Sequence, residues 1–463
     1  MDSRTLARAV DYARDHAVTI HAMLIVRNGR VVLDASFFPY RSPEMHDLAS
    51  VTKSVTATLI GIAIGKQQLV GVHQAALPLF PLHRVANDDP RKERITIEDL
   101  LTMTSGFACD WTRDETTLED MQHSADWVQF VLDRPMAAEP GTTFGYCSPG
   151  MHVLSGVLSR VTASSALEFA RRELLGPLGI RDAEWPADAH GISHGWGDLH
   201  LHPRDMAKLG LLWLNGGRWE GKQIVPADWM RAASQVHSWG TGWAAGRGYG
   251  YGFWVDSSRT IFAATGRGGQ RIRVTPDKNL VVVLVGSFDV SDVSHDISQA
   301  IKSDHALPED AEGKALLDAA IATAARPPEP HSPSALPALA AAVSDRTFSL
   351  EDNPFRLRAI SLSFHSSDEA TLRLEFCDGR VERRAVGLDG VPRVSPDGRF
   401  GLPVALAGTW EGDTTFTFDY DEVANINLYH YRLTFAGRQL SVEVNEQTGL
   451  VHTHFTGRDT TGP

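Results

Sequence analysis

Ser50-Val51-Thr52-Lys53 places a hydroxyl and an amine three residues apart at the start of an apolar stretch. On a helix those two positions share a face, so the amine lies within reach of the hydroxyl. The hydroxyl also sits at the positive end of the helix dipole, which favours negative charge developing on its oxygen. Serine is a poor nucleophile until a partner takes its proton, and a lysine does this once burial lowers its pKa. Of the lysines in the chain, only Lys53 has a serine three residues before it. The plainer reading of the pair is a helix N-cap beside a lysine that snorkels to water.

Two further segments carry chemistry. Tyr146-Cys147-Ser148 lies in a turn ahead of a helix expected from about residue 151. A phenol there reaches the serine from the opposite side, and a nearby Lys53 cation is expected to lower its pKa and make it a general base and acid. Gly266-Arg267-Gly268-Gly269-Gln270 leads into a strand. Glycines beside a strand let substrate approach the backbone closely. A backbone N–H of this segment, with that of Ser50, would form an oxyanion hole, and Arg267 would hold a carboxylate or carbonyl. Taken singly, Tyr146 reads first as a structural tyrosine, and residues 266–270 read equally as a glycine-rich hairpin.

In this order and at these separations, the three segments resemble the serine β-lactamase and penicillin-recognising superfamily. The resemblance is to its class C-like branch, which includes DD-peptidases, β-lactamase-like esterases and 6-aminohexanoate-dimer hydrolase. It covers roughly residues 20–290 and is reinforced by ITIEDLLTMTSG at 95–106, HPRDMAKL at 202–209 and YGYGFW at 249–254. It implies that Ser50 is acylated, with Lys53 and Tyr146 as its proton-handling partners. It also implies that the N–H groups of Ser50 and Gln270 form the oxyanion hole, and that Ser148, Arg267, Gly268 and Gly269 contact substrate. Whether Lys53 or Tyr146 takes the proton stays open, since the two would titrate together.

The chain departs from the β-lactamase pattern at Ser148, where those enzymes usually carry Asn, and at Arg267 and Gly268, where they carry Lys and Thr. Those changes point away from a lactam and toward a small ester or linear amide. A D-amino-acid peptidase or weak β-lactamase of the same fold is the alternative. A catalytically silent protein that binds through its C-terminal part is the alternative of another class.

The elements that must position these residues follow from periodicity. Residues 5–15 read as a surface helix, and 23–38 as a hairpin turning at Asn28-Gly29. Residues 48–66 read as a buried helix, and 95–103 as a short helix capped by Thr96. Helices are also expected over 151–161, 166–175 and 203–214, and strands over 271–274 and 280–285. Residues 239–254, dense in Gly and aromatics, read as a loop over a pocket. Strands at both ends of a helical middle predict an α+β domain whose sheet joins N- and C-terminal strands. Residues 326–345 read as a proline-rich linker. From 346 to 463 the pattern turns to period 2, which predicts an all-β barrel or sandwich after a first domain at 1–325.

Composition narrows the function classes. The 463 residues are 43% hydrophobic and 22% charged, as in an ordinary globular protein. The net charge of -13, from 57 acidic and 44 basic residues, speaks against nucleic acid as a partner. No apolar run approaches the roughly 20 residues that span a bilayer, and no leader is visible at 1–16. The three cysteines, Cys109, Cys147 and Cys377, give no disulfide framework and are expected reduced in the cytoplasm. No cofactor, metal or membrane is expected, and a homodimer is possible. Gly191-Ile192-Ser193-His194-Gly195 matches a nucleophile elbow but lacks the strand and helix that motif needs. His190, His194, His200 and His202 read as loop histidines.

Overall fold

A computed structural model describes residues 1–16, 18–41, 44–110, 115–287, 297–333 and 335–460. Residue 334 of the expected linker and residues 461–463 lie outside the described residues.

The hairpin forms where Asn28-Gly29 indicated. Strands Ile20–Arg27 and Arg30–Ser36 flank that pair, and both turn residues take positive φ, 51° and 71°. Strand Ile20–Arg27 then pairs antiparallel with Leu280–Gly286, which pairs with Arg271–Thr275, which pairs with Phe262–Thr265. N-terminal and later strands thus share one sheet, as the alternation of elements required. Both faces of the central strands are covered, which explains the unbroken apolar run at 280–285. Met23, Ile25, Val282 and Leu284 point to a layer formed by helices Ser3–Asp15 and Ala311–Ala324. Their neighbours Leu24, Val26, Val281 and Val283 point to the main core, with helices Val51–Gly65, Ser148–Thr162 and Pro203–Leu214.

The segment expected as a loop at 239–254 is partly strand. Ser238–Trp239, Gly248–Tyr249 and Trp254–Val255 extend the sheet to its far edge. The helix Ala311–Ala324 had no sequence expectation. It buries Leu317, Ala320 and Ala324 against the sheet layer, a face too rich in alanine to stand out by periodicity.

Beyond residue 346 the chain is a β barrel. Nine antiparallel strands, from Thr347–Leu350 to His452–Asp459, close through a parallel Gly387–Ala407 pairing, and a tenth short strand, Arg393–Ser395, lies beside them. The interior is filled by Phe348, Leu372, Phe416, Phe418, Leu433 and Val442. The end of the linker belongs to this core: helix Ala338–Val343 buries Ala340 and Val343 in it. The barrel also contributes Ala405, Val423 and Ala424 to the core of the first domain, so the two units share apolar surface.

Candidate active site

Helix Val51–Gly65 is buried from Val51 to Ala63, and its polar side chains are all anchored. Ser54 donates to the Gly252 carbonyl, Thr56 to the Gly195 carbonyl at 2.9 Å, and Trp213 to Thr58 at 3.1 Å. Such bonds offset the cost of burying hydroxyls. They also fix the rotation of the helix, and so the direction of Ser50 and Lys53.

The turn entering the helix is held from its side. Asp47, buried, accepts from the Ala49 N–H at 2.7 Å, while its own N–H donates to Ala424 of the barrel at 2.9 Å. Ala49 takes φ 45°, a left-handed conformation that costs energy without glycine. The Asp47 bond helps hold that conformation, which presents Ser50 at the helix mouth. Asp47 had no sequence signal beyond its place three residues before the serine.

Three side chains meet at this point. Lys53 Nζ donates to Ser50 Oγ at 2.6 Å and to the Trp196 carbonyl at 3.0 Å. Tyr146 lies beside Ser50, close enough for the serine to draw its pKa down, and the Lys53 ammonium lies 4.9 Å from the centre of the Tyr146 ring. Ser50 is neither a side-chain cap nor Lys53 a snorkelling cation: the Ser50 side chain makes no cap bond, and Lys53 is 1% exposed. Burial pulls the Lys53 pKa down to about 8, against the opposing fields of Glu115 and Asp198.

Tyr146 moves the other way. Burial, with the fields of Tyr249 and Glu115, pushes its phenol well above the ordinary value, and the pull of the neighbouring Ser50 only partly offsets this. The expectation that Lys53 would lower it is corrected, because desolvation of a fully enclosed phenolate outweighs the nearby amine. Aromatic rings from 239–254 enclose Tyr146: Trp254 stacks at 5.9 Å and Trp243 meets it edge-on at 5.7 Å between centroids. Trp239 and Trp243 are exposed. Glu115, whose field reaches both Lys53 and Tyr146, went unnoticed in the sequence, where nothing marks a lone glutamate.

Ser148 is buried beside Tyr146 at the start of its helix, and its Oγ has no hydrogen-bond partner among the described residues. In the third segment, Gly266 backs onto Ser50. A Cβ there would lie 2.9 Å from the Ser50 nitrogen and 2.8 Å from the Leu48 oxygen, so only glycine fits. Gly266 donates its own N–H to the Gln270 carbonyl at 2.8 Å, closing the turn. The Gln270 side chain accepts from the Gly286 N–H at 3.1 Å and donates to the Arg267 carbonyl at 3.1 Å. Gly268 and Gly269 take the positive φ values of the turn, and Gly268 is buried. Arg267 is placed otherwise than expected: its guanidinium is bound by Asn427, Glu446 and Thr448 of the barrel, not left open for substrate.

The remaining motifs fall away from the site. Ser193 is 1% exposed, its hydroxyl accepts from the Leu167 N–H at 3.3 Å, and no helix follows it. The four histidines have ordinary structural partners: His194 the Asp198 carboxylate at 2.7 Å, His200 the Asp198 carbonyl at 2.9 Å and the Phe400 ring, while His190 lies near Asp126 and His202 near Asp182. Among the described residues no three His, Cys, Asp or Glu side chains converge as metal ligands would. The reading of the cysteines is corrected, because Cys109 and Cys147 form a disulfide across 38 residues and only Cys377 is free. Spacing along the chain does not disclose that pairing, and the cysteine argument for a reducing compartment falls with it. No described helix is long and apolar enough to cross a membrane.

The sequence model of the Beta-lactamase family matches residues 6–302, well over half of the chain. The chain belongs to the beta-lactamase family. Among curated relatives of this family member, 6-aminohexanoate-dimer hydrolase of Paenarthrobacter ureafaciens is 22% identical over 59% of this chain and 74% of its own length. Lovastatin esterase of Penicillium rubens is 27% identical over 41% of this chain, which spans about half (51%) of that enzyme. Among solved structures, a family VIII carboxylesterase superposes with TM-score 0.54 at 16% identity, over 64% of this chain and 96% of its own. The octameric penicillin-binding protein homologue from Pyrococcus abyssi superposes with TM-score 0.52 at 15% identity, over 99% of this chain and 100% of its own. At these identities the likeness is one of fold, and the last extends it through the C-terminal barrel.

Proposed function

We propose that this beta-lactamase-family chain is a serine hydrolase that forms an acyl-enzyme at Ser50 and acts on a small ester or linear amide. The observation that carries the reading is the 2.6 Å contact between Lys53 Nζ and Ser50 Oγ, with the Tyr146 ring centre 4.9 Å from the same amine.

The chemistry follows from the two pKa directions. Neutral Lys53 takes the Ser50 proton as Oγ attacks the carbonyl carbon, forming the tetrahedral intermediate. Its oxyanion is met by the Ser50 N–H and by a second N–H from residues 266–270. Gly266 is not that donor, since its N–H is spent on Gln270. Tyr146 stays protonated, so it acts as hydrogen-bond donor and as acid to the leaving oxygen or nitrogen, and Lys53⁺ re-supplies its proton. Collapse leaves an ester on Ser50, which water then hydrolyses with the same groups in reverse. Ser148, Gly268 and Gly269 border the acyl group. On this reading Lys53, rather than Tyr146, starts as base.

The relatives named as an esterase and as a dimer hydrolase support an open-chain acyl substrate over a lactam. So do Ser148, Arg267 and Gly268, where the β-lactamase pattern differs. A panel of p-nitrophenyl esters, linear amides, D-amino-acid peptides and nitrocefin tests the substrate class. Turnover of esters or linear amides with at least about tenfold lower kcat/KM on nitrocefin is expected, and tenfold is about 1.4 kcal/mol of transition-state discrimination. Nitrocefin as the best substrate would overturn it.

A further inference from the structure

Arg267 stands one residue after the glycine that backs onto Ser50, yet its guanidinium is committed to the barrel. Nη1 donates to Thr448 Oγ1 at 2.7 Å and to Glu446 Oε1 at 3.2 Å, and Nη2 donates to Asn427 Oδ1 at 2.7 Å. Glu446 is itself built in. Its side chain is 0% exposed, and its other oxygen accepts from Thr448 N–H at 3.0 Å, the Thr448 hydroxyl at 2.6 Å and Leu450 N–H at 3.2 Å. Asn427 is held in turn by donating to Glu422 at 2.7 Å. On the inner side, the Arg267 carbonyl is held by Gln270, whose side chain is tied to Gly286. Ile426 of the barrel packs against Gly268, with its Cβ 3.4 Å from where a Cβ of that glycine would stand.

The turn at 266–270 is therefore gripped from two directions: by Gln270 from the sheet, and by Arg267 from the barrel. A planar fork meeting a carboxylate, a hydroxyl and an amide oxygen at once specifies orientation as well as attraction. Glu446 favours the grip, because its buried carboxylate gains a cationic partner in Arg267 beside the three hydrogen bonds of its other oxygen. A carboxylate-bearing substrate would have to displace Glu446 to use the same cation.

We propose that Arg267 is a positioning residue through which the C-terminal barrel sets the oxyanion-binding turn beside Ser50, making the barrel a working part of the catalytic centre. This rests on the reading of Ser50 as the acylated nucleophile. An oxyanion hole acts on the transition state more than on bound substrate, so a loosened turn lowers kcat and leaves KM nearly unchanged.

The test compares Arg267→Lys, Arg267→Gln, Glu446→Gln and the Arg267→Gln/Glu446→Gln double variant with wild type. Substrates are a neutral p-nitrophenyl ester and one carrying a carboxylate, and thermal melting is followed in parallel. Arg267→Gln is expected to lower kcat about 10–100-fold on both esters, with KM within about threefold. Arg267→Lys, which keeps the charge but not the fork, should fall between wild type and Arg267→Gln. Glu446→Gln should lose kcat in the same sense although it lies in the barrel. The double variant should be no worse than Arg267→Gln, since both break one clamp. A folded Arg267→Gln with wild-type kcat overturns the proposal. So does a loss confined to KM for the carboxylated ester, the mark of a substrate-binding arginine. If Arg267→Gln does not fold, Asn427→Ala at the edge of the clamp carries the test, with a several-fold loss of kcat expected and none overturning it. A wild type that turns over no ester and takes no label at Ser50 would bring down the reading of Ser50 and this one with it. An active, labelled wild type beside an indifferent Arg267→Gln brings down only the clamp.

Discussion

Lys53, buried at 1% exposure beside Ser50, is the residue on which the proposed chemistry turns, and its protonation makes the proposal measurable. Burial holds Lys53 near a pKa of about 8, so the neutral base accumulates above that pH and is lost below it. kcat/KM should rise with pH through a limb near 8, read from a pH–rate profile. Tyr146→Phe should lower kcat about 10²–10⁴-fold, the range for a lost general acid, without moving that limb. A limb that vanished with the phenol would assign the titration to Tyr146. Stability gives a second reading of the same shift. A lysine whose folded pKa is depressed penalises the folded state fully below about 8, and the penalty fades as pH rises toward the ordinary lysine value. Lys53→Met should therefore be inactive yet melt above wild type, by about 2–4 °C per kcal/mol relieved. The gap should be widest near pH 6–7 and close toward pH 10. At this scale the meeting of Ser50, Lys53 and Tyr146 in space was legible, the first two from helical spacing and the third from its turn. The direction of the Tyr146 shift was not, because it depends on rings at 243, 249 and 254 that reach it only in the fold. The Arg267 partners lie at least 160 residues further along the chain and left no local trace.

Among the elements, the nucleophile helix and the third-segment turn are set against each other with no spare room. Gly266→Ala would put a methyl 2.8–2.9 Å from the backbone of Leu48 and the Ser50 nitrogen, so one of the two must shift. A displaced oxyanion donor costs on the order of 10²–10³ in kcat. The variant should show that loss, together with a matching fall in the rate of fluorophosphonate labelling. A change under threefold would mean that the two elements are not coupled. Helices and strands with strong patterns were readable because their periodicity reports burial on one face. Pro203–Leu214 and the hairpin at Asn28-Gly29 are examples. The edge strands at 238–255 escaped because two-residue strands carry no period. Helix Ala311–Ala324 escaped because alanine serves both its faces.

For the molecule as a whole, the barrel is more than an appendage. It places Val423 and Ala424 in the main core, accepts the Asp47 N–H that fixes the serine turn, and holds Arg267. A chain ended at residue 325 should expose that apolar junction and either aggregate or fold with little activity, checked by light scattering and ester turnover. A soluble truncated chain with wild-type kcat would contradict it. The all-β character of this part was readable from alternation after residue 346, but its docking was not, since docking depends on loops such as 422–427 that have no period. The most direct test of the central claim is intact mass after treatment with a fluorophosphonate, comparing wild type with Ser50→Ala. Wild type should gain one phosphonyl adduct per chain and Ser50→Ala none, while Ser193→Ala labels as wild type does. An adduct that persists in folded Ser50→Ala would contradict the assignment of the nucleophile.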